Sequence, residues 1–130
     1  MMALMAAFLA ICCFLLLSMA PTAVAATDHV VGGSIWSIPT SSGHYQAWAK
    51  NRTFFVGDNL VFKFDLGMYN VVQVGSGEYE YCTWEDPYNT FDDAPAVVNL
   101  DFPGVRYFIC TVGNYCELGV KIYVTVQKPY

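Results

Sequence analysis

Along residues 57 to 127, apolar and polar positions alternate in short runs separated by turn residues. Leu60, Phe62 and Phe64 alternate with Val61, Lys63 and Asp65 after the turn Gly57-Asp58-Asn59, which puts one apolar face on a strand. Further strands are predicted over Asn70 to Val74, Ala96 to Leu100, and Val105 to Thr111, the last introduced by Pro103-Gly104. The clearest is the final one. There Val120, Ile122, Val124 and Val126 share one face, and Lys121, Tyr123, Thr125 and Gln127 the other. Trp36 and Trp48 sit in strand-like apolar context and are expected in the core, whereas Glu78 and Glu80 alternate along a solvated strand edge. No stretch shows a helical period of ordinary length. Short strands with turn signals this closely spaced predict an all-β sandwich or barrel.

Preceding these runs, Met1 to Leu17 is nearly continuous apolar sequence, followed by Pro21 and the small-residue pattern Ala23-Val24-Ala25. A spanning helix wants about 20 apolar residues, and the shorter run with a cleavage pattern reads instead as a secretory signal peptide, 1–25, cut after Ala25 or Ala26. It departs from the usual signal in having no Lys or Arg before the apolar run. The rest, 26–130, has room for one domain with a hydrophobic core. Hydrophobic residues at 55% against charged residues at 13% exclude a disordered polar chain.

The formal net charge of −5 lies wholly after the apolar leader, and with no basic cluster it argues against nucleic acid and against an anionic membrane surface. The end of the chain, Val124 to Tyr130, lacks the apolar tail of a lipid-anchor signal, so a soluble extracellular product without stable membrane insertion is expected. Asn51-Arg52-Thr53 is a glycosylation sequon, usable on the secretory route if its loop is exposed. Of five cysteines, Cys12 and Cys13 would leave with the signal, and Cys82, Cys110 and Cys116 remain. In an oxidising compartment an odd number implies one bridge and one thiol, with the pairing open.

Between Trp84 and Pro95 the chain is acidic, with Glu85, Asp86, Asp92 and Asp93. The spacing does not match a calcium loop, so a solvated loop with one short helical turn is expected. His29 and His44 are read as surface histidines too scattered to build a metal site. No Ser/His/Asp arrangement, phosphate-binding glycine loop or metal-ligand pair is present, which argues against an enzyme.

The most informative stretch is Tyr107-Phe108-Ile109-Cys110-Thr111-Val112-Gly113-Asn114-Tyr115-Cys116-Glu117-Leu118-Gly119-Val120. With Val31-Gly32-Gly33, Trp36, Tyr45-Gln46-Ala47-Trp48-Ala49, Phe55-Val56-Gly57-Asp58-Asn59, Asn70-Val71-Val72 and Tyr81-Cys82, it resembles the phytocyanins, the plant branch of the cupredoxins that includes stellacyanins and early nodulin-like proteins. The resemblance implies a Greek-key β-sandwich with a copper site at one end. It also implies a bridge between Cys82 and Cys116, leaving Cys110 unpaired.

Blue copper needs two imidazoles and a thiolate in a plane, with a weak axial ligand. By resemblance these come from His-Asn-Val and Cys-x4-His-Cys-x3-[Met/Gln]. Here Cys110 matches the thiolate, but the histidine positions hold Tyr69 and Tyr115 and the axial position holds Val120. A phenol titrates near pH 10 and is a poor substitute for neutral imidazole, and valine cannot coordinate. The expectation is a degenerate site filled by two rings and an isopropyl group, with no cofactor and an inert, buried Cys110 thiol. The function expected is a non-catalytic extracellular or cell-wall module that binds a glycan or a protein, with Trp84 and Tyr88 as the candidate surface and Trp36, Trp48 and Tyr79 as further aromatics. The alternative is copper electron transfer, the activity the family implies.

Overall fold

A computed structural model describes residues 25–129. The expected leader therefore falls, but for its last residue, outside the described residues, as do Cys12 and Cys13. Among the described residues eight strands form two sheets. The smaller has the order β1 (Asp28–Val30), β3 (Asn59–Phe62), β6 (Ala96–Asn99). The larger has the order β2 (Phe54–Phe55), β8 (Lys121–Gln127), β7 (Gly104–Ile109), β4 (Val71–Val74), β5 (Asn89–Phe91). β1 runs parallel to β3 and β2 parallel to β8, and all other pairs are antiparallel.

The alternation that marked the strands is what holds the sandwich together. On β8 the even positions Ile122, Val124 and Val126 are buried and Tyr123, Thr125 and Gln127 face out. Leu60 and Phe62 on β3, and Ala96 and Val98 on β6, point inward to meet them. Trp36 sits at the centre. Its ring lies 4.7 Å from that of Tyr45 and 5.0 Å from that of Phe62, which in turn lies 5.4 Å from Phe108. All four are fully buried, and transfer from water alone stabilises each such side chain by roughly 1.5–3 kcal/mol.

Two short helices depart from the all-strand expectation. The first, α1 (His44–Lys50), carries Trp48, which is therefore helical and half-buried and does not lie on a strand. Tyr45 and Ala49, four apart, form its buried stripe. Gln46 on α1 pairs with the exposed edge of β8 in the manner of a strand, donating to Tyr123 O and accepting from Tyr123 N–H, both at 3.2 Å. The second, α2 (Ser76–Tyr81), contains the Glu78 and Glu80 expected on a strand. Six residues are too few for a two-residue alternation to exclude a helix, and local bonds decide it. The Glu78 carboxylate accepts from Gly75 N–H at 3.4 Å, and Cys82 closes the helix in the left-handed conformation with φ 53°.

Other corrections are local. Trp36 lies in an irregular segment after a 3-10 turn at Val31–Gly33, not in a strand. The segment between Trp84 and Pro95 contains β5 and no helical turn, because Val71, Val72 and Gln73 of β4 offer it a free edge to pair with. At Gly32, φ is +73°, and an added Cβ would lie 2.6 Å from the Tyr45 ring, so only glycine fits this approach.

His29 is buried rather than at the surface. Its Nε2 donates to Asp58 Oδ2 at 2.9 Å, because Nδ1 faces the donor-only guanidinium of Arg52 at 3.2 Å. Asp58 also accepts from Phe55 N–H and Thr27 N–H, each at 3.0 Å. Burial alone would raise the Asp58 carboxyl, but the bonds from His29, Phe55 and Thr27 outweigh it and hold the carboxyl below its usual range. A carboxyl depressed on folding contributes stability that is present above its unfolded pKa, about 3.9, and is lost as pH falls through the folded value. Asp58→Asn is thus expected to flatten the acid limb of the stability curve below about pH 4. Denaturant midpoints measured from pH 2 to 7 test this, and parallel acid limbs in the two proteins would rule it out.

Candidate functional site

One end of the sandwich gathers four of the residues singled out from the sequence. Cys110 follows β7 directly and Val120 precedes β8, so both are carried by the two central strands of the larger sheet. Cys110 N–H donates to Val120 O at 3.0 Å, and Val120 N–H to Tyr115 O at 3.0 Å, folding the intervening loop back on itself. Gly119 permits this at φ +107°, where a Cβ would also lie 3.1 Å from Pro39. Tyr69 comes from the loop before β4. It is held beside the loop through its neighbour Asn70, whose side chain donates to Thr111 Oγ1 at 2.8 Å and accepts from Thr111 N–H at 2.9 Å. Trp36 Nε1 donates to Asn70 O at 2.9 Å, tying the same point to the core.

The side chains are packed against one another. The Tyr69 and Tyr115 rings lie 5.2 Å apart with planes inclined by 40°, within the range of favourable aromatic pairs. Both rest, half-buried, on the core cluster that contains Cys110 and Val120, which are completely buried. Burial pushes the Cys110 thiol up, more than the backbone bonds near it from Asn70 and Val112 bring it down. Among the described residues no three His, Cys, Asp or Glu side chains converge as a metal-binding group. His29 is engaged with Asp58, and His44 stacks edge-on to Tyr45 at 5.0 Å. A buried thiol of raised pKa should resist an aromatic disulfide reagent at pH 8 and react as one equivalent only after unfolding. Rapid labelling of the native protein would contradict this placement.

Cys82 and Cys116 form the one disulfide among the described residues. It lies over the outer face of the larger sheet in a satellite cluster with Val72, Val74 and Ile109. Tyr79 from α2 extends that cluster towards Tyr107 and Tyr123, at ring separations of 5.4 and 5.6 Å. Burial, with lesser contributions from Tyr123 and Tyr107, pushes the Tyr79 phenol up to about 12. Lys121 Nζ sits 4.4 Å above the Tyr79 ring and donates to Tyr79 O at 3.0 Å.

The structure separates the two aromatics expected to share a surface. Trp84 borders a shallow depression with Cys82, Thr83 and Glu85. Tyr88 instead lines a cleft of about 430 Å³ that also includes Asn89, Asn99, Asp101, Phe102 and Arg106. Sequence patterning missed Phe102 and Arg106 because neither falls in a recognisable motif. The one available signal was Arg106 at an inward position of β7, where a charge needs a partner. Asn51, at the end of α1, is exposed.

Residues 36–120 match the family model described as a plastocyanin-like domain. The chain is 39% identical over 114 residues to a blue copper protein of Arabidopsis thaliana, covering 87% of this chain and 58% of that protein. It is 37% identical over 106 residues to stellacyanin of Toxicodendron vernicifluum, covering 77% of this chain and 96% of that one. Early nodulin-like protein 14 of Arabidopsis thaliana is 35% identical over 108 residues, covering 81% of this chain and 59% of that protein. The chain thus spans less than two thirds of the two Arabidopsis relatives. Among solved structures, copper-loaded cucumber stellacyanin superposes with a TM-score of 0.76 at 33% identity, covering 82% of this chain and all of that one.

Proposed function

This chain belongs to the phytocyanins, the plant cupredoxins with a plastocyanin-like domain, and from that premise we propose that it is a secreted, non-catalytic binding or structural module with a degenerate copper site. The observation that carries the reading is the contact between the Tyr69 and Tyr115 rings at 5.2 Å, on the same core cluster as Cys110 and Val120. Side chains that fill a site and touch one another leave it packed rather than open. The donor set does not fit blue copper: one thiol is present, both imidazoles are replaced by phenols, and the axial position is a hydrocarbon.

Extracellular placement is supported by the disulfide, which belongs to oxidising compartments, and by the signal-like leader. Among the described residues no helix is long and apolar enough to cross a membrane. The partner in this reading is an extracellular glycan or protein.

The test is addition of cupric ion to the purified, disulfide-bonded protein, followed by visible spectroscopy and metal analysis after desalting. A colourless protein retaining far less than one equivalent is the expected result. An intense copper–thiolate band with one copper per chain would overturn the reading and return electron transfer to first place.

A further inference from the structure

The two sheets leave an open side. β5 is the last strand of the larger sheet and β6 the last strand of the smaller, and the turn through Pro95 joins them. The cleft lined by Tyr88, Asn89, Asn99, Asp101, Phe102 and Arg106 runs along this side. Its volume of about 430 Å³ falls in the range of small-ligand clefts, roughly 300–1,000 Å³.

Two features set this cleft apart from an ordinary gap between sheet edges. Tyr88 is 72% and Phe102 57% exposed, so two aromatic side chains border it without being needed in the core. Arg106, only 6% exposed, is held in its wall. Its guanidinium donates to Asn99 O at 3.2 Å and to Asp101 Oδ1, and lies 4.0 Å below the Phe102 ring. Of its three other N–H groups, the buried Nε–H has no hydrogen-bond partner. Buried donors are normally satisfied, so this wall holds an unmet polar group just beneath its surface.

We propose that this cleft is a subsite for a neutral, hydroxyl-rich pyranose glycan. The charge at the site selects among ligands. Arg106 is the cleft's only cation and Asp101 already neutralises it, so an acidic ligand gains nothing. A neutral sugar gains on every side. Its C–H faces stack on Tyr88 and Phe102, and its hydroxyls accept from Arg106 and the amide of Asn89 while donating to Asp101. Asp101 is exposed, and its bond from Arg106 holds its carboxyl below the usual range, so it stays an ionised acceptor.

This proposal rests on the binding-module reading above, and the experiment separates the two. The full processed chain is titrated by calorimetry with a panel of neutral four-unit hexose and pentose oligosaccharides. The variants are Tyr88→Ala, Phe102→Leu and, as a control, Trp84→Ala. Since all three side chains are solvent-exposed, the variants should keep the parent's unfolding midpoint, which is measured alongside. The expected result is binding by the parent to at least one oligosaccharide, weakened at least tenfold by Tyr88→Ala and by Phe102→Leu and unchanged by Trp84→Ala. Binding that survives both cleft variants but is lost in Trp84→Ala overturns the cleft assignment and keeps the module reading. Failure of the whole panel, with an extended peptide protecting β5 and β6 amides from exchange, overturns the glycan and keeps a module for peptides. Failure of the panel together with stoichiometric copper uptake overturns both.

Discussion

Tyr69→His, Tyr115→His and Val120→Met, introduced together, are expected to give a protein that develops a copper–thiolate absorption band on addition of copper, with one equivalent retained. The parent should show neither. The four positions are already assembled: Cys110 and Val120 are joined by a backbone bond of 3.0 Å, Val120 and Tyr115 by another of 3.0 Å, and the Tyr69 and Tyr115 rings adjoin. What the parent lacks is donor chemistry, since two imidazoles and a thioether beside a thiolate make the set that blue copper needs. The metal-free variant should also be less stable than the parent by about 1–3 kcal/mol, because imidazoles are smaller than phenols and leave part of the space unfilled. Copper should restore the loss by binding only the folded state. A folded triple variant that stays colourless would mean that the loop from Cys110 to Val120 has moved away from a ligand-bearing geometry, and that the tyrosines are not simple fillers.

Loss of the disulfide is the second large effect expected. Cys82 and Cys116 are 34 residues apart in sequence. Releasing a closed loop of that size returns conformational entropy to the unfolded chain worth about 4 kcal/mol at 25 °C. For a domain of this size, that lowers the midpoint of thermal unfolding by roughly 15–25 °C. The double variant Cys82→Ser/Cys116→Ser should show it in urea titrations, with a further small loss from placing a hydroxyl at the buried Cys116 position beside Val72, Val74 and Ile109. A change below about 1 kcal/mol would mean that the satellite cluster and α2 hold this region without the bridge.

Much of the architecture was legible because strands write themselves into a sequence with a period of two. Val120, Ile122, Val124 and Val126 all proved buried, as did Leu60, Phe62 and Phe64, in the alternation expected of them. The bridge and the unpaired Cys110 followed from resemblance and agree with the structure. The errors have a common cause. Glu78-Tyr79-Glu80-Tyr81 alternates like a strand but is helical, because a single carboxylate accepting from Gly75 N–H and a left-handed Cys82 settle a segment too short for periodicity to judge. His29 reads as a surface residue in the sequence because its partner Asp58 lies 29 positions away.

The candidate sites divide along the same line. The identities of Tyr69, Cys110, Tyr115 and Val120 are matters of sequence, and chemistry alone says that this set suits copper poorly. Their mutual contact is a matter of folding, since Tyr69 is 46 positions from Tyr115 and meets it only through the Asn70–Thr111 bonds. The cleft at Arg106 left one sequence signal, a charge at an inward position of β7. It exists because two sheets end side by side, leaving β5 and β6 unpaired on their outer edges and trapping a guanidinium between Asn99, Asp101 and Phe102. Residue type and local period thus determined which strands form and which faces are apolar, because these depend on neighbours along the chain. Which side chains touch, which charges are neutralised and where a cleft opens depended on distant segments brought together by burial, and only the tertiary structure decided them.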